Sequence, residues 1–258
     1  MGGFFLNILG SFNTTMTSIP IDILQMILDR VGRNDLATLC RVNKICCACS
    51  QDALYREIED ADAHVIQTLA QSTDLARRVR SFATQNSPPE LATALRNMSS
   101  LRSLELECNC DESLLDGCTF KLESFSCTFP YSESLRNFFI CQPTLTDVKF
   151  FDNCDHSSLS YPLEETCLPN LTRILADPPL LRILVPGRPV REVAMRSPSD
   201  IDSTDLSFLT LSTAPIQNLF IHYDMLYPKP ESLLVSIFPS LVNLVVYAWD
   251  AEWTVRGP

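Results

Sequence analysis

Apolar and polar positions along the chain follow two regimes that meet near Val79. From Ile19 to Tyr55 the spacing is helical: Ile23/Ile27 and Leu24/Leu28/Val31 recur at the i, i+3 and i+4 intervals of a helical face. Pro20 suits the first turn, where its missing N–H is not needed. A polar break follows, and Asn34 is placed to cap a second helix whose apolar side is Leu36, Leu39, Cys40 and Val42, with Lys44-Ile45 carrying it onward. Helices this short are marginal alone, so they must bury their apolar faces against each other, against the rest of the chain or against a second protein. His64, Val65, Ile66, Leu69 and Ala70 predict one more helix before the pattern changes.

From Val79 an element apolar-x-x-apolar-x-apolar recurs. It runs Val79/Phe82/Thr84, Leu101/Leu104/Leu106, Leu122/Phe125/Cys127, Leu145/Val148/Phe150, Leu171/Ile174/Ala176, Val190/Val193/Met195, Ile216/Leu219/Ile221 and Leu241/Leu244/Val246. Successive starts lie 22, 21, 23, 26, 19, 26 and 25 positions apart. Such a period predicts a solenoid of short strands and return segments, because no unit can bury its apolar side unless its neighbours stack on it. Helical patches fall between the strands: Leu91/Leu95/Met98, Leu135/Phe138/Phe139 after Ser132 or Ser134, Leu206/Leu209/Leu211, and Leu233/Leu234/Ile237/Phe238 after Pro230. Parallel strands with helices outside, joined right-handedly, fit this alternation. A doubly wound sheet would want longer helices and a glycine-rich first turn, which seven scattered glycines do not supply. The stretch Pro178-Pro179 through Pro186-Gly187-Arg188-Pro189 interrupts the rhythm, and its flanking prolines set a turn before the next strand.

Ile-Pro-x-Asp-Ile-Leu-x-x-Ile-Leu-x-x-Val from Ile19, then Asp35-Leu36-Ala-x-Leu-Cys40-x-Val42-x-Lys44 and Leu54-Tyr55, resembles an F-box, the adaptor-binding segment of substrate receptors in cullin-RING ubiquitin ligases. Where that family usually carries a tryptophan after the lysine, this chain has Cys46 and Cys47. The resemblance implies that Pro20, Ile21, Ile23, Leu24, Ile27, Leu36 and Val42 lie at or near the surface that meets a Skp1-like adaptor. The later pattern resembles leucine-rich repeats, irregular ones, since the asparagine or cysteine expected after each strand recurs only at Asn109, Asn153 and Cys154. The proline-glycine-arginine-proline turn is similar to one in F-box proteins of mushroom-forming fungi. Arg188 there has two open roles, binding a ligand carboxylate or holding the turn through backbone carbonyls.

The expected architecture is therefore α/β: residues 1–17 a flexible leader with Met16 an alternative start, 18–56 an all-helical F-box-like module, 57–78 a helical linker or cap, and 79–258 an irregular leucine-rich-repeat solenoid with parallel strands and outer helices. Composition agrees, since 258 residues at 46% hydrophobic and 20% charged belong to a folded protein. The net charge of −11 disfavours a nucleic-acid partner, whose phosphates call for Lys and Arg. Acidic residues gather at Glu105, Glu107, Asp111, Glu112, Asp116 and Glu123, and basic ones at Arg182, Arg188, Arg191 and Arg196; solvated faces account for both. The N-terminal apolar run is too short for a membrane span and lacks the basic flank of a signal peptide. An intracellular protein, cytoplasmic or nuclear, is the expectation.

No chemistry announces itself. The eleven cysteines are odd in number and lack a paired framework, so all are expected as free thiols, and Cys46-Cys47-x-Cys49 and Cys108-x-Cys110 lack the second pair a zinc site needs. No nucleophile elbow or phosphate loop is present, and the three histidines are isolated, so neither catalytic residues, metal nor cofactor is expected. The inferred mechanism is recruitment: the helical module docks on the adaptor, and through it on cullin, while the repeats hold an as yet unidentified protein substrate. Candidate substrate contacts are Glu105, Glu107 and Glu123, which suit a basic surface, together with Arg188, Trp249 and Trp253. The two tryptophans serve equally as a terminal cap, and the other aromatics near the strands, Phe125, Phe150, Phe220 and Tyr247, offer contact area, of which Phe125 and Phe150 fit the inward pattern and are expected in the core. The alternative reading is a repeat scaffold outside any ubiquitin ligase.

Overall fold

The computed structural model describes residues 19–108, 111–151, 161–195, 206–222, 237–248 and 251–256, the last strand by its backbone. The leader 1–17, Trp249, Asn109, Asn153, Cys154, His156, Arg196, Leu233 and Leu234 lie outside them. The chain divides into two compact units, residues 1–57 and 58–258.

The first unit holds three helices, α1 (Ile21–Leu28), α2 (Arg33–Leu39) and α3 (Lys44–Arg56). Leu28, Leu36 and Cys49 form its core, with Leu24, Val31, Leu39, Ala53 and Leu54 packed around them. The expected second helix is two helices. Asn34 lies inside α2, which starts after Gly32, whereas Asn43 is a true cap: its side chain accepts the Cys46 N–H at 2.8 Å. That bond satisfies a donor which the first turn leaves unpaired, so a new helix begins at Lys44. An Arg56–Asp29 ion pair at 2.9 Å ties α3 back to the end of α1.

Among the described residues ten strands form one sheet in sequential order, from β1 (Glu57–Ile58) through β2 (Ser81–Thr84), β3 (Ser103–Leu106), β4 (Ser124–Cys127), β5 (Asp147–Phe150), β6 (Arg173–Ala176), β7 (Glu192–Met195), β8 (Asn218–His222) and β9 (Asn243–Ala248) to β10 (Ala251–Arg256). Pairs from β2 to β9 are parallel; β10 returns antiparallel on β9, a departure from the all-parallel expectation. Helices α4 (Ala63–Gln71), α5 (Thr73–Ala76), α6 (Leu91–Asn97), α7 (Glu133–Ile140) and α8 (Pro178–Leu184) lie between strands, as outer helices of a repeating β/α arrangement. Asp62 caps α4 and Ser132 caps α7. The patch at Leu206–Leu211 closes only into a 3₁₀ turn, Ser207–Leu211. The two prolines that break the rhythm open α8, where a first turn has no use for their N–H.

The apolar element stacks as its spacing demands. Phe82 pairs with Leu104, Leu104 with Phe125, Phe125 with Val148, Val148 with Ile174, Ile174 with Val193, Val193 with Leu219 and Leu219 with Leu244, and every one is buried. The register comes from a repeated clamp. The carbonyl of Arg80 accepts the N–H groups of Arg102 and Ser103, and those of Arg102, Glu123, Thr146, Thr172, Arg191 and Gln217 each accept two from the next repeat. Each clamp residue follows the first apolar residue of its element, so the clamps inherit the 19- to 26-residue spacing and the return segments absorb its variation.

Arg188 completes the turn after α8. It is fully buried and donates to five carbonyls: Nε to Cys167 at 2.9 Å, Nη1 to Ile183 at 3.1 Å and Pro186 at 2.8 Å, and Nη2 to Leu163 at 3.4 Å and Glu164 at 2.7 Å. Gly187 beside it has φ 75°, and a Cβ there would lie 2.6 Å from the Glu165 Cβ. Of the two roles open to Arg188, the geometry is that of holding the turn, and its guanidinium is turned inward, away from any ligand. The basic residues around it are thus not one solvated face: Arg188 is interior, and Arg182 lies 5.6 Å over the Phe208 ring.

Cys108 corrects another expectation, being disulfide-bonded. An odd count argues against a disulfide framework, not against a single bond. Eight other cysteines are reduced thiols.

Arg188→Met keeps an unbranched chain of similar reach and leaves these carbonyls without their donors. It should destabilise the repeats by about 3 kcal/mol or more, seen as a lower urea midpoint at unchanged slope.

Candidate functional site: two interaction surfaces

The first surface is on the helical unit. Its helices are too short to bury two sides, and the core takes only the Leu24/Leu28 side of α1. Ile23 and Ile27, one turn apart on the other side, remain 47% and 49% exposed, and Ile21 and Met26 reach 56% and 61%. Of the ten exposed large apolar side chains among the described residues, seven lie between Ile19 and Ile45. A concentration of that kind on so small a unit makes a candidate interaction surface, because apolar residues exposed for no reason are scattered singly.

The predicted adaptor residues divide accordingly. Pro20, Ile21, Ile23, Ile27 and Val42 are exposed, and Leu24 is half-buried at the edge of the core. Leu36 is 4% exposed and belongs to the core, so its expected surface position is corrected: it packs behind the exposed residues. Ile19, Met26 and Ile45 were not singled out from the pattern although they are among the most exposed apolar residues; Met26 sits three residues after Ile23, a signal that was available.

The second surface is the sheet face opposite the core, where alternate strand residues align in rows. One row runs Ser81, Ser103, Ser124, Asp147, Arg173, Glu192, Asn218 and Asn243. It is knitted by an Asp147–Arg173 ion pair at 2.9 Å and by amide contacts from Asn218 to Glu192 at 3.3 Å and from Asn243 to Asn218 at 2.7 Å. The next row is Ala83, Glu105, Ser126, Lys149, Leu175, Ala194, Phe220 and Val245, polar in its first half and apolar in its second. Beyond it the Tyr247 hydroxyl donates to the Met195 carbonyl, and the Tyr247 ring meets His222 edge-on, centroids 5.4 Å apart.

Glu105 and Glu107 share this face, on opposite sides of buried Leu106 in the chain. Burial first, then the charge of and hydrogen bond with Glu107, push the Glu105 carboxyl up; Lys149 pulls it down and Asp60 adds to the rise. Glu107 accepts from the Gln85 amide at 3.1 Å. Glu123 is not brought to them: it stands exposed at the start of β4, paired with Arg102 at 2.9 Å. Trp253 is on β10 opposite Val246. Phe125 and Phe150 are core, joined through Phe139 by edge contacts at 6.0 and 6.3 Å.

Among the described residues no cluster of three or more His, Cys, Asp or Glu is placed to hold a metal ion, and no helix is long and apolar enough to cross a membrane. Residues 16–55 match the F-box domain family, a match that covers the three helices with their exposed apolar side chains and leaves the β/α repeats outside it. The chain thus carries an N-terminal F-box domain followed by a repeating parallel β/α solenoid of leucine-rich-repeat-like architecture. F-box domains are non-catalytic adaptor modules. No curated protein matches it.

The raised Glu105 carboxyl means that the folded chain binds its proton more readily than the unfolded chain does. Its contribution to stability therefore falls as pH rises from the ordinary carboxylate range through the raised folded value. Glu105→Gln should accordingly be more stable than the natural chain at neutral pH, with the difference vanishing in acid; urea midpoints across a pH series measure this.

Proposed function

We propose that this chain is the substrate-recognition subunit of an SCF-type ubiquitin ligase. The observation that carries the proposal is the set of apolar side chains left exposed by an F-box unit whose core is already complete. Pro20, Ile21, Ile23, Ile27 and Val42 meet a Skp1-like adaptor, with Leu24 and Leu36 holding α1 and α2 in place from behind. Burying such residues against a partner stabilises the complex by about 1.5–3 kcal/mol for each one fully covered. The adaptor links the chain to cullin, and the covalent steps belong to those partners.

The open sheet face holds the substrate. Its carboxylates Glu105 and Glu107 suit a basic protein surface, and the in-register Leu175, Ala194, Phe220 and Val245 offer it apolar contact a few strands away. Recruitment of this kind works by raising local concentration and fixing orientation.

Co-expression with a Skp1-type adaptor and affinity purification tests the reading. The natural chain should purify as a stoichiometric complex, and Ile23→Asp or Ile27→Asp, which place a charge on the exposed side of α1 and leave the core intact, should weaken binding by roughly 30-fold or more. A soluble, folded natural chain that ignores the adaptor would make it a scaffold outside any ligase.

A further inference from the structure

Two thiols of the F-box unit converge across the turn that joins α2 to α3. Cys40 is the residue that ends α2, and Cys47 lies in the first turns of α3. The Cys40 Sγ is 4.0 Å from the Cys47 carbonyl oxygen, and the Cys47 thiol is near enough to act on the Cys40 thiol. Both are partly exposed and neither is in a disulfide. The turn between them is pinned at Asn43, whose carbonyl accepts the Cys47 N–H at 2.8 Å. It also carries Val42 and Ile45, 47% and 60% exposed.

We propose that Cys40 and Cys47 are an oxidisable pair which a hydroperoxide closes into a disulfide, shifting Val42 and Ile45 and so weakening adaptor docking. The docking half of this rests on the function proposed above; the thiol chemistry does not. A sulfur–sulfur bond is about 2.05 Å long and holds its two Cα atoms about 4.4–6.8 Å apart, so forming it locks the end of α2 to the start of α3. The turn and its two apolar side chains move with them, because the loop they occupy is only eight residues from Cys40 to Cys47.

The order of events follows from the surroundings. Burial first and then the neighbouring Cys47 push the Cys40 thiol up, which leaves it less thiolate than an ordinary cysteine and a slow first attacker on peroxide. The Cys47 sulfur takes one oxygen from hydrogen peroxide, forming a sulfenic acid and releasing water. The Cys40 sulfur then attacks that sulfenic sulfur, the S–O bond breaks, and a second water leaves. In sum two thiols and one peroxide give one disulfide and two waters: each cysteine loses one electron and the peroxide gains two. A dithiol reductant reverses the change.

The test uses the full chain with purified Skp1-type adaptor. Reduced protein is treated with hydrogen peroxide, remaining thiols are alkylated, and peptides are mapped by mass. The expected product is a Cys40–Cys47 cross-link, lighter by two hydrogens, absent in Cys47→Ser and in Cys40→Ser. Adaptor affinity should fall about tenfold on oxidation, recover with dithiothreitol, and be insensitive to peroxide in Cys47→Ser. Cys40 and Cys47 remaining alkylatable while other thiols oxidise, Cys40 pairing elsewhere, or a Cys40–Cys47 disulfide that leaves affinity unchanged would each overturn the proposal. Failure of the reduced natural chain to bind adaptor is a separate result: it removes the ligase reading and with it the docking half, while the mapped cross-link still decides the chemistry.

Discussion

One backbone arrangement underlies the repeats: a carbonyl just before each strand receives two N–H groups from the repeat that follows. The clamp from Arg80 to Arg102 recurs through Glu123, Thr146, Thr172, Arg191, Gln217 and Val242, and it sets β2 to β9 in the same register. Once register is set, the side-chain period of two sends Phe82, Leu104, Phe125 and Val148 to one face and Ala83, Glu105, Ser126 and Lys149 to the other. Core and open face are therefore consequences of a single constraint. A slip of one residue would exchange them. Return segments have no such obligation, which is why they range from the helix α7 to the 3₁₀ turn at Glu112–Leu115 without disturbing the sheet.

Polar side chains help where return segments leave backbone groups inside. Buried Gln142 accepts the Leu122 N–H and donates to the Phe120 carbonyl, and Asn97 donates to the carbonyls of Leu69 and Ala70 at the end of α4. Arg188 is the most demanding case, a buried guanidinium that replaces water on five carbonyls. Burial pulls its pKa down from its ordinary high value, and the dense set of acceptors compensates for its lost hydration. The helical unit shows the opposite economy. Three short helices complete a core with few residues and leave apolar side chains outside, an arrangement that gains stability when a second protein covers them.

Much of this was legible from spacing. All eight apolar elements fall on or just before strands, and of their members only Leu241 is less than buried. Periodicity survives in sequence because each repeat faces the same packing problem. Helix boundaries were less legible: the choice between Asn34 and Asn43 as cap depends on which side chain reaches a free N–H, and both are chemically suited. Among the site residues, exposure separated Ile23 and Ile27 from Leu36, three apolar residues which spacing alone treats alike.

The sequence by itself determined the two regimes, the F-box resemblance, the solenoid and the inward residues, since these are properties of periods and local motifs. Only the tertiary structure decided which apolar side chains stay outside, that Arg188 faces backbone carbonyls, that Glu123 stands apart from Glu105 and Glu107, and that Cys40 meets Cys47 across a turn. Each depends on groups brought together from separate parts of the chain. Burial, hydrogen-bond partners and proximity are properties of those meetings, and no single residue or spacing carries them.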